Sequence, residues 1–312
     1  MKALVAAPHT DAKLEIRDVA DPQPLSNEAL VRVRAFSLNR GELKAITSAA
    51  DGFRPGWDVA GVVERAASDG SGPAEGSRVV GMVRSGAWAE LVAVPTRALA
   101  VLPDPVSFED ASTLPIAGLT ALRCLELGGP LLGRRVLITG AAGGVGRFAI
   151  QLAHRAGAHV TGVIGSAERA AGLRELGCDA LVEQFENDGP HFDLILESVG
   201  GSSLAAALNR VATGGTIVSF GNSSSEQTTF DVRPFFLRSR VKLCGFIIFE
   251  EIEHTRFAPR ALGDLASLAG SGALRTEVAS VRGWHEAALS LAELRDRKIN
   301  GKAVLTVPAG GA

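Results

Sequence analysis

Three features of the sequence predict an α/β protein made of a doubly wound parallel-sheet domain and a second, β-rich lobe. From residue 135 onward, short apolar strands alternate with helix-like segments. Each such helix returns the chain to the same end of a sheet, so the strands must run parallel. Residues 1–112 instead read as short β segments split by turn formers. The length, 312 residues, exceeds what a single core usually organises, about 250 to 300 residues.

In chain order, residues 3–7, 29–35, 58–65, 78–83 and 90–94 carry the β pattern, punctuated by Pro22, Pro24, Gly52, Gly56, Gly70, Gly72 and Gly76. Ser107 with Asp110 three residues later has capping-box spacing, which predicts a helix start and a boundary near residue 115. The alternating region then predicts strand 136–139, helix 144–156, strand 159–164, helix 167–176, strand 193–197, helix 203–211 and strand 216–220. An apolar strand over 241–249, helices over 258–269 and 284–297, and a strand over 303–307 follow. The last strand fits either lobe.

Composition narrows the function. Apolar residues make up 46% and charged residues 21%, the balance of a globular protein with a packed core. Acidic and basic side chains number 34 and 32, without blocks of like charge, so nucleic acid and anionic membranes are not expected partners. A small-molecule substrate fits better. The three cysteines, Cys124, Cys178 and Cys244, are far apart and odd in number, which argues against a disulfide framework and for a reducing compartment. Residues 1–8 lack the apolar core of a leader, and no run of about 18 apolar residues occurs. The expectation is a cytoplasmic protein.

The run Gly140-Ala141-Ala142-Gly143-Gly144-Val145-Gly146 follows the strand Val136-Leu137-Ile138-Thr139 and opens the next helix. Glycines there let the backbone turn tightly and approach a pyrophosphate, while amides at the helix start meet its negative charge. With a strand before, a helix after and a second strand at His159, the run reads as a dinucleotide site of the Rossmann type, involving Gly143, Gly144, Val145 and Gly146. The second strand ends at Ile164, where an NAD-binding domain usually offers a carboxylate to the ribose. Here Gly165-Ser166 and then Arg169 follow. A 2′-phosphate meets no acid at that position, and Ser166 and Arg169 can donate to it. NADPH is therefore the expected cofactor; the alternative for Arg169 is a solvated helix residue.

The glycine run with Gln151-Leu152-Ala153, the segment Gly56-Trp57-Asp58-Val59-Ala60-Gly61-Val62-Val63, the helix segment Ala117-Gly118-Leu119-Thr120-Ala121 and the late Gly301-Lys302-Ala303-Val304-Leu305 together resemble the medium-chain dehydrogenase/reductase superfamily, in its zinc-free quinone oxidoreductase branch. The resemblance spans nearly the whole chain. It implies a discontinuous GroES-like catalytic domain, residues 1–115 with 273–312, and a Rossmann NADPH-binding domain, residues 116–272, with the active site in the cleft. It also implies a homodimer paired through a Rossmann edge strand, for which residues 243–249 are the match; an interior strand is the alternative.

Residue by residue, the resemblance places Asn39 near the nicotinamide and the substrate oxygen, Thr120 beside the nicotinamide, Phe220, Gly221 and Asn222 against the cofactor, and Phe246 and Ile248 near the nicotinamide ribose. A turn-capping role is the alternative for Asn39, and core packing for the aromatic and aliphatic residues. Many relatives have a Tyr where this chain has Gln184, a departure that bears on the adenosine end.

Zinc-containing relatives carry a Cys near Ser37 and a His at Trp57, and no other His, Cys and carboxylate pattern takes their place, so no metal site is expected. Without a metal to polarise a carbonyl, a conjugated acceptor is favoured, since its developing charge delocalises to oxygen. Asn39 can stabilise that charge. The expected activity is NADPH-dependent reduction of a quinone or α,β-unsaturated carbonyl. An enoyl-thioester reductase and a non-catalytic NADPH-binding sensor are the alternatives.

Overall fold

A computed structural model describes residues 1–308. The chain forms two compact units, Met1–Leu119 with Phe249 onward, and Thr120–Ile248.

The first unit opens with β1 (Lys2–Ala6) and β2 (Leu14–Asp18), an antiparallel pair. The long β3 (Glu28–Ser37) carries Val31, Val33 and Ala35 inward and Arg32 and Arg34 outward, the period-two alternation of a half-buried strand. It leads into helix α1 (Arg40–Thr47). The strands β4 (Asp58–Arg65), β5 (Arg78–Met82), β6 (Leu91–Pro95) and β7 (Leu99–Val101) follow. Helix α2 (Phe108–Ser112) starts where expected, with Ser107 Oγ accepting the Asp110 N–H at 3.0 Å. A five-residue wide turn, Leu114–Gly118, closes this stretch.

The second unit contains α3 (Leu119–Leu127, from Thr120 onward), β8 (Arg135–Ile138), α4 (Gly144–Arg155), β9 (His159–Val163), β10 (Ala180–Val182), β11 (Phe192–Glu197), α5 (Gly201–Arg210), β12 (Val211–Ser219), α6 (Val232–Leu237) and β13 (Lys242–Gly245). All six strands are parallel, in the order β10-β9-β8-β11-β12-β13. This is the doubly wound sheet of a Rossmann domain. Its central strands are buried on both faces, which is why Val136, Leu137, Ile138, Leu194, Ile195 and Leu196 run as continuous apolar stretches.

The chain then re-enters the first unit through α7 (Ile248–His254), α8 (Ala258–Gly270), β14 (Val278–Gly283), α9 (Ala287–Arg295) and β15 (Lys302–Thr306). β15 pairs with β3, so the last strand joins the β-rich lobe, whose main sheet runs β14-β15-β3-β4-β5-β7 with β6 on β3. Phe36 stacked on Trp88 at 5.5 Å anchors its core.

Three expected elements differ. Residues 167–176 form only a short turn of 3₁₀ helix, Ala167–Ala170, because Gly172 and Gly177 adopt positive φ and break the helix. Leu173 and Leu176 stay buried all the same. The strand expected over 241–249 ends at Gly245, and α7 begins at Ile248, favoured by Glu250 and Glu251 in its first turn. The return to the first unit was expected at residue 273 but comes at Phe249, because α7 and α8 pack on the β-rich lobe. Phe249 meets Trp57 edge to face at 5.2 Å, and Glu250 and Glu253 pair with Arg84 and Arg97. Among the described residues, no helix is long and apolar enough to cross a membrane.

Candidate functional site

In the second unit the sheet's winding reverses between β8 and β11. The chain moves from β8 to β9 and β10 on one side, then crosses to β11, β12 and β13 on the other. Crevices for nucleotides form at the carboxyl ends of the strands at such a reversal. The Gly140–Gly146 turn sits at the end of β8 and Ser198 to Gly200 at the end of β11. The two loops are tied together: the Ser198 N–H donates to Thr139 Oγ1 at 2.8 Å.

The glycines are required by geometry. Gly140 has φ +61°, and the Ala141 N–H donates to the Val163 carbonyl at 3.0 Å, folding the turn over β9. A Cβ on Gly146 would stand 2.5 Å from the Gly140 carbonyl oxygen and 2.6 Å from that of Ala141. Those are backbone atoms that cannot swing away. The first N–H groups of α4, at Gly144, Val145 and Gly146, have no preceding helical carbonyl to bond and so form a natural anion cradle.

Ser166, Arg169, Phe220, Gly221, Asn222 and Phe246 follow the carboxyl ends of β9, β12 and β13. Ser166 precedes and Arg169 lies within the short turn beyond β9, and the Arg169 N–H donates to the Ser166 carbonyl at 3.1 Å. Phe220, Gly221 and Asn222 follow β12; the Phe220 N–H bonds the Glu197 carbonyl, and a Cβ on Gly221 would lie 2.9 Å from the Ser198 carbonyl. Phe246 follows β13, its N–H on the Ser219 carbonyl at 2.9 Å. Thr120 is buried in the first turn of α3, and Ile248 is buried at the start of α7 rather than in a strand. Gln184 is exposed just past β10.

Two features here escaped sequence reading. Glu197 is fully buried and accepts the N–H groups of Val199 and Gly200 and the Ser203 hydroxyl, which shapes the β11 loop. Its signal was an acid directly after the apolar run Leu194-Ile195-Leu196. Beside Ser166, Glu168 is exposed, and the Ser166 hydroxyl holds its carboxyl below the usual range.

Asn39 lies in the first unit, at the start of α1, and it does more than close a turn. The helix start is secured by Glu42, whose Oε2 accepts the Asn39 backbone N–H at 2.6 Å. The Asn39 side chain has partners beyond the helix start. Its Nδ2 donates to Asp58 Oδ2 at 2.7 Å, and its Oδ1 accepts from Lys302 Nζ at 2.6 Å. Ser37 Oγ also donates to Asp58 Oδ2, and the Ile116 N–H donates to Oδ1 at 2.8 Å. Lys302 Nζ further reaches the Leu38 carbonyl at 3.0 Å and Asp58 at 3.4 Å. Ser37, Asn39, Glu42, Asp58 and Lys302 are all buried. Burial, and next the charge of Asp58, push the Glu42 carboxyl up to about 8.

The two positions at which zinc-containing relatives carry ligands hold side chains with other partners. The Ser37 hydroxyl is committed to Asp58, and the Trp57 ring packs against Phe249 while its backbone N–H bonds Glu42 Oε1 at 2.9 Å. Among the described residues, no three His, Cys, Asp or Glu side chains come together as a metal site.

Comparison with known proteins agrees with this architecture. Residues 25–104 match the model of the alcohol dehydrogenase GroES-like domain, and residues 144–262 that of the zinc-binding dehydrogenases. A quinone oxidoreductase of Pseudomonas aeruginosa is 30% identical, over 94% of this chain and 95% of that protein. Prostaglandin reductase-3 of Bos taurus is 29% identical, over 94% and 84%. A mycobacterial protein solved in complex with NADPH superposes with a TM-score of 0.87 at 26% identity, covering 98% of this chain and 100% of that one. The chain is thus an oxidoreductase of the medium-chain dehydrogenase/reductase superfamily, in its quinone oxidoreductase-like branch.

Proposed function

We propose that this protein is a zinc-independent, NADPH-dependent reductase of quinones or α,β-unsaturated carbonyl compounds. The observation that carries the reading is the Gly140–Gly146 turn at the β8 and β11 reversal, where a side chain on Gly146 would clash with the turn's own Gly140 and Ala141 carbonyls. Gly143, Gly144, Val145 and Gly146 would hold the pyrophosphate and Ser166 with Arg169 the 2′-phosphate. Phe220, Gly221, Asn222, Thr120, Phe246 and Ile248 would complete the cofactor site. The likeness to a structure solved with NADPH supports the choice of cofactor.

Bound NADPH supplies a hydride. The protein's part is to orient the acceptor and stabilise the charge that develops on its oxygen, for which Asn39 Nδ2 retains one N–H beyond its bond to Asp58. A conjugated acceptor suits a site without a Lewis acid, because its charge is already delocalised. The chain contains no tyrosine, so a tyrosine general acid is excluded, and the proton comes from water or a weak neutral donor.

For the assembly, β13 is an edge strand with Leu243 about half exposed, and Ile247 just beyond it is exposed to the same degree. A second copy pairing there would extend the sheet and cover both, giving a homodimer that light scattering would detect. The activity is tested by steady-state NADPH oxidation with a panel of quinones, enals and enoyl thioesters. Turnover of the first two classes is expected. Cofactor binding without turnover on any acceptor would favour a sensor instead.

A further inference from the structure

The buried cluster around Asn39 contains more charge than a helix start needs. Asp58 and Lys302 come from β4 and β15, separated by 244 residues in sequence, and both lie within hydrogen-bond reach of the same amide. Burying an ammonium and a carboxylate together is a poor route to stability compared with apolar packing. The arrangement calls for another role.

Neither charged group is free to act on a substrate. The ammonium of Lys302 has three hydrogens and three acceptors, the Leu38 carbonyl, Asn39 Oδ1 and Asp58 Oδ2. The carboxylate of Asp58 has about four acceptor sites. Its Oδ2 receives Ser37, Asn39 and Lys302, and its Oδ1 receives the Ile116 N–H. Lys302 is thus not placed as a general acid, nor Asp58 as a base. Asn39 differs: its Oδ1 is engaged and its Nδ2 has given one of two hydrogens. A flipped amide would set NH₂ against the ammonium and oxygen against the carboxylate. Only one orientation is tolerated, and a cation on the amide oxygen strengthens the remaining N–H as a donor.

We infer that Lys302 and Asp58 are positioning residues, an oppositely charged buried pair that orients and polarises the Asn39 amide so that its one uncommitted N–H serves the acceptor oxygen. The inference rests on the reading of Asn39 as the donor to that oxygen. It accounts for two facts together: the burial of both charges and their engagement by other groups rather than by solvent.

Removing the ammonium alone would strand a buried carboxylate and endanger folding. The test therefore uses the charge-neutral double variant Lys302→Met with Asp58→Asn, in the full-length protein. Its kcat is expected to fall by about tenfold or more, while the acceptor KM and the NADPH Kd stay within about threefold, because only transition-state stabilisation is lost. Adding Asn39→Ala to this variant should slow it no further than Asn39→Ala alone, the non-additivity of groups acting through one another. Multiplying losses would overturn the inference. A readout independent of turnover is the side-chain amide signal of Asn39 in protein labelled with ¹⁵N-asparagine. It should shift and exchange faster in the neutral variant, and an unmoved signal would also overturn the inference. An absence of turnover by the wild type on every acceptor would instead defeat the reductase reading, leaving the amide signal to decide the orientation.

Discussion

Glu42 Oε1 accepts the backbone N–H of Trp57 at 2.9 Å, a bond that ties the start of α1 to the residue preceding β4. The carboxyl group is fully buried, and burial with the nearby Asp58 raises it from 4.5 to about 8. An acid whose folded value is raised binds more protons folded than unfolded between those two values. Stability therefore falls as pH rises from about 4.5 to about 8, by a few kcal/mol in order of magnitude. Urea melts across this range should show the decline. Glu42→Gln should flatten the profile, while lowering stability at pH 5 by about 1 to 3 kcal/mol because one backbone N–H loses its acceptor. A decline unchanged in the variant would assign the titration elsewhere.

Two glycine-to-alanine substitutions should act in opposite directions. Gly146→Ala puts a Cβ into the Gly140 and Ala141 carbonyls, so NADPH affinity measured by fluorescence titration should drop at least about tenfold. Gly263→Ala, on α8 with nothing within 4 Å of the added carbon, should raise stability by about 0.5 to 1 kcal/mol through helix propensity. Undiminished affinity in the first variant would remove the glycine turn from the cofactor site.

NADPH should be preferred over NADH. Gly165 offers the ribose no carboxylate, and a charge-assisted bond from Arg169 to a 2′-phosphate is worth about 1.5 to 3 kcal/mol. At about 1.4 kcal/mol per factor of ten, that is a preference of roughly ten- to a hundredfold in kcat/KM, and Arg169→Ala should remove most of it. Glu168 opposes this preference, because its carboxylate engages the Ser166 hydroxyl. Glu168→Gln should accordingly widen the preference. Equal use of both cofactors by the wild type would contradict the assignment.

The Rossmann sheet and its glycine turn were legible in the sequence because their signals are local: an apolar strand, a run of glycines and an amphipathic helix within about twenty residues. Where local signals conflicted, the reading failed. Alanines and leucines over 167–176 suggest helix, but Gly172 at φ +76° ends it. Residues 241–249 are apolar apart from Lys242, but β12 offers partners only as far as Ser219, opposite Gly245. Helix α1 and strand β2 went unread because both are short and expose much of their length.

Asn39 was found by resemblance, and its neighbours were not found as a group. Asp58 and Lys302 were both in view as parts of separate motifs, yet they meet only because β15 pairs with β3 and β3 with β4. That register is set by tertiary packing, and no spacing in the sequence encodes it. The same holds for Phe249, whose contact with Trp57 moved the unit boundary to the start of α7.

Hydride transfer to a conjugated acceptor without metal assistance is the chemistry on which the proposed function turns. The direct measurement is NADPH consumption by chelator-treated protein, checked for zinc, with an enone and its saturated ketone compared side by side. Sustained turnover of the enone, at least about tenfold faster than the ketone, with zinc well below one equivalent, is the predicted result. Activity abolished by the chelator and restored by zinc, or equal rates on the two substrates, would contradict it.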